Sequence, residues 1–140
     1  MKNFTILLVI ILMFITKLVL AEDFSITFAN KYSMNGSVET PLGVLKALTI
    51  KGVFSDSRGH TGIVNCIATS GKNLDFVCDT KDEDGDISYT SGRREGDGGK
   101  AIITGGTGKY ANITSQCEYQ IASFSKDVMV GLITMQCSTK

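Results

Sequence analysis

The stretch that most restricts the fold is Ile113 to Ile121. In it Ile113, Ser115, Cys117, Tyr119 and Ile121 alternate with Thr114, Gln116, Glu118 and Gln120. A period of two over nine residues puts one set of side chains on each face of a strand and does not fit a helix. Upstream, Ala101 to Thr104 feeds a glycine turn, Gly105-Gly106-Thr107-Gly108-Lys109-Tyr110. That turn imitates the phosphate-binding corner of a dinucleotide fold. Such a corner needs a helix after the glycines, so that N-terminal amides hold the pyrophosphate. Here a strand follows, and the 32 residues after Gly108 are too few for the rest of a doubly wound sheet. A phosphate loop fails as well, because Lys109 is followed by Tyr110 instead of Ser or Thr. The glycines therefore read as a strand-to-strand corner that uses positive φ and close backbone approach.

The rest of the chain repeats the strand signal. Phe24 to Phe28 alternates, Asn30 to Gly36 is polar with a turn signal at Asn35-Gly36, and Gly43 to Phe54 ends in the β-formers Thr49, Ile50, Val53 and Phe54. Ser55 to Gly59 reads as a loop. Thr61–Thr69 and Leu74–Thr80 read as a hairpin, Lys81–Gly85 as an acidic turn and Ile87–Thr90 as a short strand. Ser91–Gly99, with four charges and no aliphatic residue, is the most loop-like segment. Val128 to Cys137 is a second long strand. Eight or nine short strands with one proline and no convincing helix indicate an antiparallel barrel or sandwich. Closure into a barrel removes the edge that the apolar final strand would otherwise expose. The expected fold is all-β: a single antiparallel eight-stranded barrel.

Residues 1–21 read as a signal peptide. Lys2 precedes an apolar run from Phe4 to Ile15, Lys17 cuts that run below the roughly 20 residues needed to span a bilayer, and Val19-Leu20-Ala21 suits cleavage. Residues 22–140 then form one barrel domain of 119 residues, secreted or periplasmic, with no stable membrane anchor after cleavage. That domain carries 12 basic and 14 acidic side chains, a net charge of −2. The balance gives no electrostatic case for nucleic acid.

Its four cysteines, an even count behind a leader, read as two disulfides. The midpoint of Cys66 and Cys78 falls on Lys72, inside the turn-like Ser70–Asn73, and the midpoint of Cys117 and Cys137 falls on Asp127. Residues directly opposed in an antiparallel hairpin lie about 4.5–5.5 Å apart, within disulfide reach. The expected bonds are therefore Cys66–Cys78 and Cys117–Cys137. With no CxxC pair and a single histidine, neither a metal nor another cofactor is expected.

Gly105–Tyr110, followed by Ala111, Ile113 and a strand reaching Tyr119, resembles the GGTG-[KR]-[FY] signature of allene oxide cyclase-like and dirigent-like barrels. Asp84-Gly85-Asp86 ahead of a glycine-rich loop resembles a segment of small secreted bacterial members of that group. The resemblance covers roughly residues 61–139. It implies a calycin-like barrel with a central cavity for a hydrophobic molecule, and self-association, since several relatives are oligomers. Ser115 stands where members commonly have another glycine, and the resemblance carries over the fold and no catalytic residue.

Few residues suggest chemistry. Asp82, Asp84 and Asp86 invite a calcium reading, but an EF-hand register would put Thr80 at its first position and Ser91 at its twelfth. His60, the only histidine, lies between Gly59 and Thr61 at a loop–strand boundary. Glu95 and Glu118 have nothing nearby in sequence to desolvate them. Asn35-Gly36-Ser37 and Asn112-Ile113-Thr114 are glycosylation sequons. The leading expectation is a small apolar ligand inside the barrel, touched by Phe76, Tyr119 and Ile121. An isomerase or cyclase of the allene oxide cyclase type is the second. The third is an interaction module that uses the Ser91–Gly99 end of a barrel filled by its own side chains.

Overall fold

The computed structural model describes residues 22–139; the expected leader, residues 1–21, lies outside them. The strands are β1 (Asp23–Thr40), β2 (Gly43–Asp56), β3 (Thr61–Ser70), β4 (Leu74–Asp82), β5 (Ile87–Glu95), β6 (Gly98–Gly106), β7 (Thr114–Ser125) and β8 (Val130–Thr139). A single 3-10 turn, Gly108–Tyr110, sits between β6 and β7. The eight strands form an antiparallel up-and-down meander that closes into a barrel when β1 pairs with β8.

Alternation decides what faces inward. Phe24, Ile26 and Phe28 of β1 meet Ile50 and Phe54 of β2, Val64 and Ala68 of β3, Ile103 of β6 and Met135 of β8 in one buried cluster. Burying each large apolar side chain contributes roughly 1.5–3 kcal/mol. Both expected disulfides are present. Cys66 stands directly opposite Cys78 and Cys117 opposite Cys137, with Cα separations of 4.0 and 4.1 Å. Such bonds belong to proteins of an oxidising compartment.

Two segments differ from the expectation. Asn35-Gly36 is not a turn: β1 runs through it, and Asn35 is the extra residue of a bulge between Met34 and Gly36. The chain reverses at Pro41-Leu42, where the Thr40 hydroxyl donates to the Gly43 carbonyl and accepts the Leu42 N–H. Pairing of β1 with β8 stops at Lys31, and pairing of β2 with β3 starts only at Lys46. The tip of the β1–β2 hairpin therefore projects beyond the barrel as a two-stranded ribbon. Ser91–Gly99, expected as a loop, is instead the β5–β6 hairpin, with Arg94 opposite Gly99 and Arg93 opposite Lys100. Charged and glycine residues pair there without an apolar period to betray the strands.

The barrel has two unlike ends. The open end carries the β1–β2, β3–β4, β5–β6 and β7–β8 turns, and the plugged end carries the β2–β3, β4–β5 and β6–β7 connections.

Candidate functional site

At the plugged end the glycine corner and the acidic turn form one unit. The Thr107 N–H donates to the Ile87 carbonyl at 2.7 Å, and the Ile87 N–H donates to Thr107 Oγ1 at 2.8 Å. Gly105 and Gly108 have positive φ, 96° and 48°, and a Cβ on Gly108 would overlap the Asp86 carboxylate. This packing lets the Lys109 N–H reach Asp86 Oδ2 at 3.1 Å. Lys109 Nζ then lies 2.8 Å from Asp82 Oδ2 and 2.7 Å from Asp84 Oδ2. The Tyr110 hydroxyl donates to Asp82 Oδ2 at 3.0 Å, while Asp82 Oδ1 accepts the N–H groups of Asp84 and Asp86, both at 3.0 Å. The cation that serves this acidic turn is the Lys109 ammonium.

A second buried carboxylate, Asp56, lies at the end of β2. It accepts from Arg58 Nη2 at 2.7 Å and faces His60 Nδ1 at 3.1 Å, and its other oxygen accepts the Arg58 and His60 N–H groups. The Arg58 guanidinium lies 3.8 Å from the centre of the Phe24 ring and covers the core. His60 is thus part of a structural ion cluster. Burial pushes the Asp82 carboxyl up, but the bonds from Lys109, Tyr110 and Asp86 prevail and hold it below its ordinary value. Asp56 is also held low, burial being outweighed by Arg58 and His60. Burial and the bond to Asp82 push Tyr110 up to about 12, and the two carboxylates raise Lys109. Neither residue is a free base at neutral pH.

A pH dependence follows from the two carboxylates. Each has a folded-state value below its unfolded one, so its stabilisation is complete above about pH 4 and is lost as pH falls through the folded value. Urea midpoints are expected to hold between pH 6 and 5 and to drop steeply below about pH 4. A flat profile down to pH 2 would contradict the pairing.

The other half of the interior holds a cavity of about 70 Å³ that opens at the open end. Phe76, Tyr119 and Ile121, the three expected contact residues, all line it. Phe76 and Tyr119 pack edge to face with centroids 5.8 Å apart. Asn30, Tyr32 and Arg94 line it too, and the sequence reading missed them. Asn30 and Tyr32 continue the inward phase of Phe24, Ile26 and Phe28, so the signal was available in the numbering. Asn30 is 6% exposed, and its Oδ1 has no hydrogen-bond partner. Burial pushes the Tyr119 hydroxyl up to about 12, against the charge of Arg94, and raises Tyr32 against the Asn30 side chain first and Arg94 second. Arg94 is exposed at the rim, its Nε donating to the Gly96 carbonyl at 2.7 Å. Glu95 and Glu118 are exposed and take no part in the cavity. Ser115 is fully buried, and its hydroxyl has no partner.

No protein-family model matches the chain, and no curated protein matches it in sequence.

Proposed function

We propose that this is a secreted or periplasmic barrel that binds the apolar end of a small ligand in its open-end cavity. The observation that carries this reading is an apolar chamber, open on one side, with a single buried acceptor left unpaired at Asn30. An unsatisfied buried polar atom costs about 1–3 kcal/mol, and Asn30 Oδ1, packed over Gly52, must turn toward the chamber for a ligand donor to recover it. The volume of about 70 Å³ exceeds the roughly 10–15 Å³ that one water needs. It lies well below the roughly 300–1,000 Å³ of pockets that enclose a drug-sized molecule. The chamber therefore suits an end group or short chain. The leader and the disulfides support export, and the likeness of Gly105–Tyr110 to allene oxide cyclase-like barrels supports an interior chamber.

The test is native mass spectrometry of the protein purified from the cells that make it, together with uptake of a fluorescent apolar probe. Ile121→Trp, at the mouth, is expected to weaken probe uptake roughly tenfold. The small volume favours one alternative, a barrel filled by its own side chains that serves as an interaction module. Absence of both a co-purifying mass and probe uptake would establish that alternative over ligand binding.

A further inference from the structure

Apolar exposure on this barrel is concentrated at one end. Among the described residues fifteen large apolar side chains are exposed; ten of them lie on the β1–β2 and β7–β8 hairpins, and all of these but Val53 lie toward the open end. Leu42 is 98% exposed, Val38 65% and Val128 60%. None of the fifteen lies in the connections of the plugged end. The two hairpins are neighbours and are tied together: the Tyr32 N–H donates to the Met129 carbonyl at 2.8 Å, and the Tyr32 ring meets Phe124 edge on at 5.4 Å. Charge follows the same axis. The plugged end gathers Asp56, Asp82, Glu83, Asp84 and Asp86 against Arg58, Lys81 and Lys109. The open end carries Lys46, Lys72, Arg93, Arg94 and Lys126 against Glu39, Asp75, Glu95, Asp97 and Asp127, a neutral balance.

We propose that the open end docks on a lipid bilayer, with the tips around Leu42 and Val128 entering the interfacial layer and the acidic end facing away. Peripheral binding of this kind scales with the apolar area buried among the headgroups, plus the attraction of basic side chains to anionic lipid. Separate apolar tips interspersed with lysines offer no groove or flat face to a folded protein. Each tip can, however, enter lipid independently. Exposed large apolar side chains gathered at one end mark an interaction site. The acidic plugged end makes the reverse orientation unfavourable. The proposal does not depend on the cavity being occupied.

The test uses the chain from Glu22 onward, which contains every strand of the barrel, in cosedimentation with phosphatidylcholine vesicles with and without phosphatidylglycerol. Binding is expected to both, since apolar insertion at a neutral end drives it. The double variant Leu42→Ser, Val128→Ser is expected to lose at least roughly tenfold in partitioning while unfolding at the parent's temperature, since both side chains already face solvent. Ile67→Ser with Val77→Ser, on the barrel wall, is the control and should bind as the parent does. The proposal is overturned if the parent sediments with neither vesicle, if the tip variant binds like the parent, or if the wall variant loses as much. Light scattering adds one more decisive result: a concentration-dependent dimer abolished by the tip variant, without vesicle binding, would make this end an interface between copies of the chain.

Discussion

Reduction of both disulfides is expected to unfold the barrel under conditions in which the oxidised protein is stable. The bonds close sequence separations of 12 and 20 residues. On the chain-entropy account each contributes roughly 3 kcal/mol, with the Cys117–Cys137 bond slightly the larger. Together they supply about 6 kcal/mol, against a total stability of about 5–15 kcal/mol typical of single domains. Cys66, Cys117 and Cys137 are also buried in the core, so reduction leaves thiols where the packing is tight. Urea unfolding followed by circular dichroism, with and without a reductant, measures the effect. Coincident curves would mean that the hairpins hold without their crosslinks.

Asp82→Ala is expected to cost about 3–5 kcal/mol, because the Tyr110 hydroxyl and two turn amides lose their buried acceptor and Lys109 loses one of its two carboxylates. The Tyr110 hydroxyl, the Lys109 ammonium and two backbone amides all converge on that carboxylate. Tyr110→Phe removes only one of those bonds and should cost less, about 1–3 kcal/mol. The order of the two urea midpoints is the informative result. If Asp82→Ala were as stable as the parent, the plug would be incidental to the fold. A large loss for Asp82→Ala with a small one for Tyr110→Phe would identify Lys109 and the turn amides as the main partners.

The fold was legible wherever side-chain period and hairpin symmetry spoke together. In an antiparallel hairpin the sequence numbers of opposed residues have a constant sum, so two cysteines equidistant from a turn face each other. Cys66 and Cys78 around Lys72 met that condition, whereas Cys117 and Cys137 face each other because a bulge at Ala122 shifts the register by one from a turn centred between Asp127 and Val128. Legibility failed where local propensity conflicted with register. Asn35-Gly36 is a strong turn dipeptide, yet the ladder from Tyr32–Ile50 to Val38–Leu45 continues past it and absorbs the extra residue as a bulge. Ser91–Gly99 lacked apolar residues because Arg93 faces outward and glycines occupy several paired positions, so no period of two could show.

The candidate site divides in the same way. Phe76, Tyr119 and Ile121 were readable from inward phase; Asn30 and Tyr32 share that phase and were passed over because they are polar. The pairing of Lys109 with Asp82 bridges two turns that are not joined to one another, and no spacing within the sequence encodes it. What the glycine corner does was therefore visible only in three dimensions: it delivers Lys109 and Tyr110 to the acidic turn.

Seven of the eight strand ladders are between strands consecutive in the chain, and the eighth joins Asp23 to Ser138. Contacts so distant in sequence carry most of the loop-closure entropy and form slowly. The β1–β8 seam is therefore expected to be the last ladder to form. Both crosslinks lie within hairpins and need not wait for that seam. Thiol oxidation and barrel closure thus run on separate clocks, the first set by local geometry and the second by the meeting of the two most distant strands.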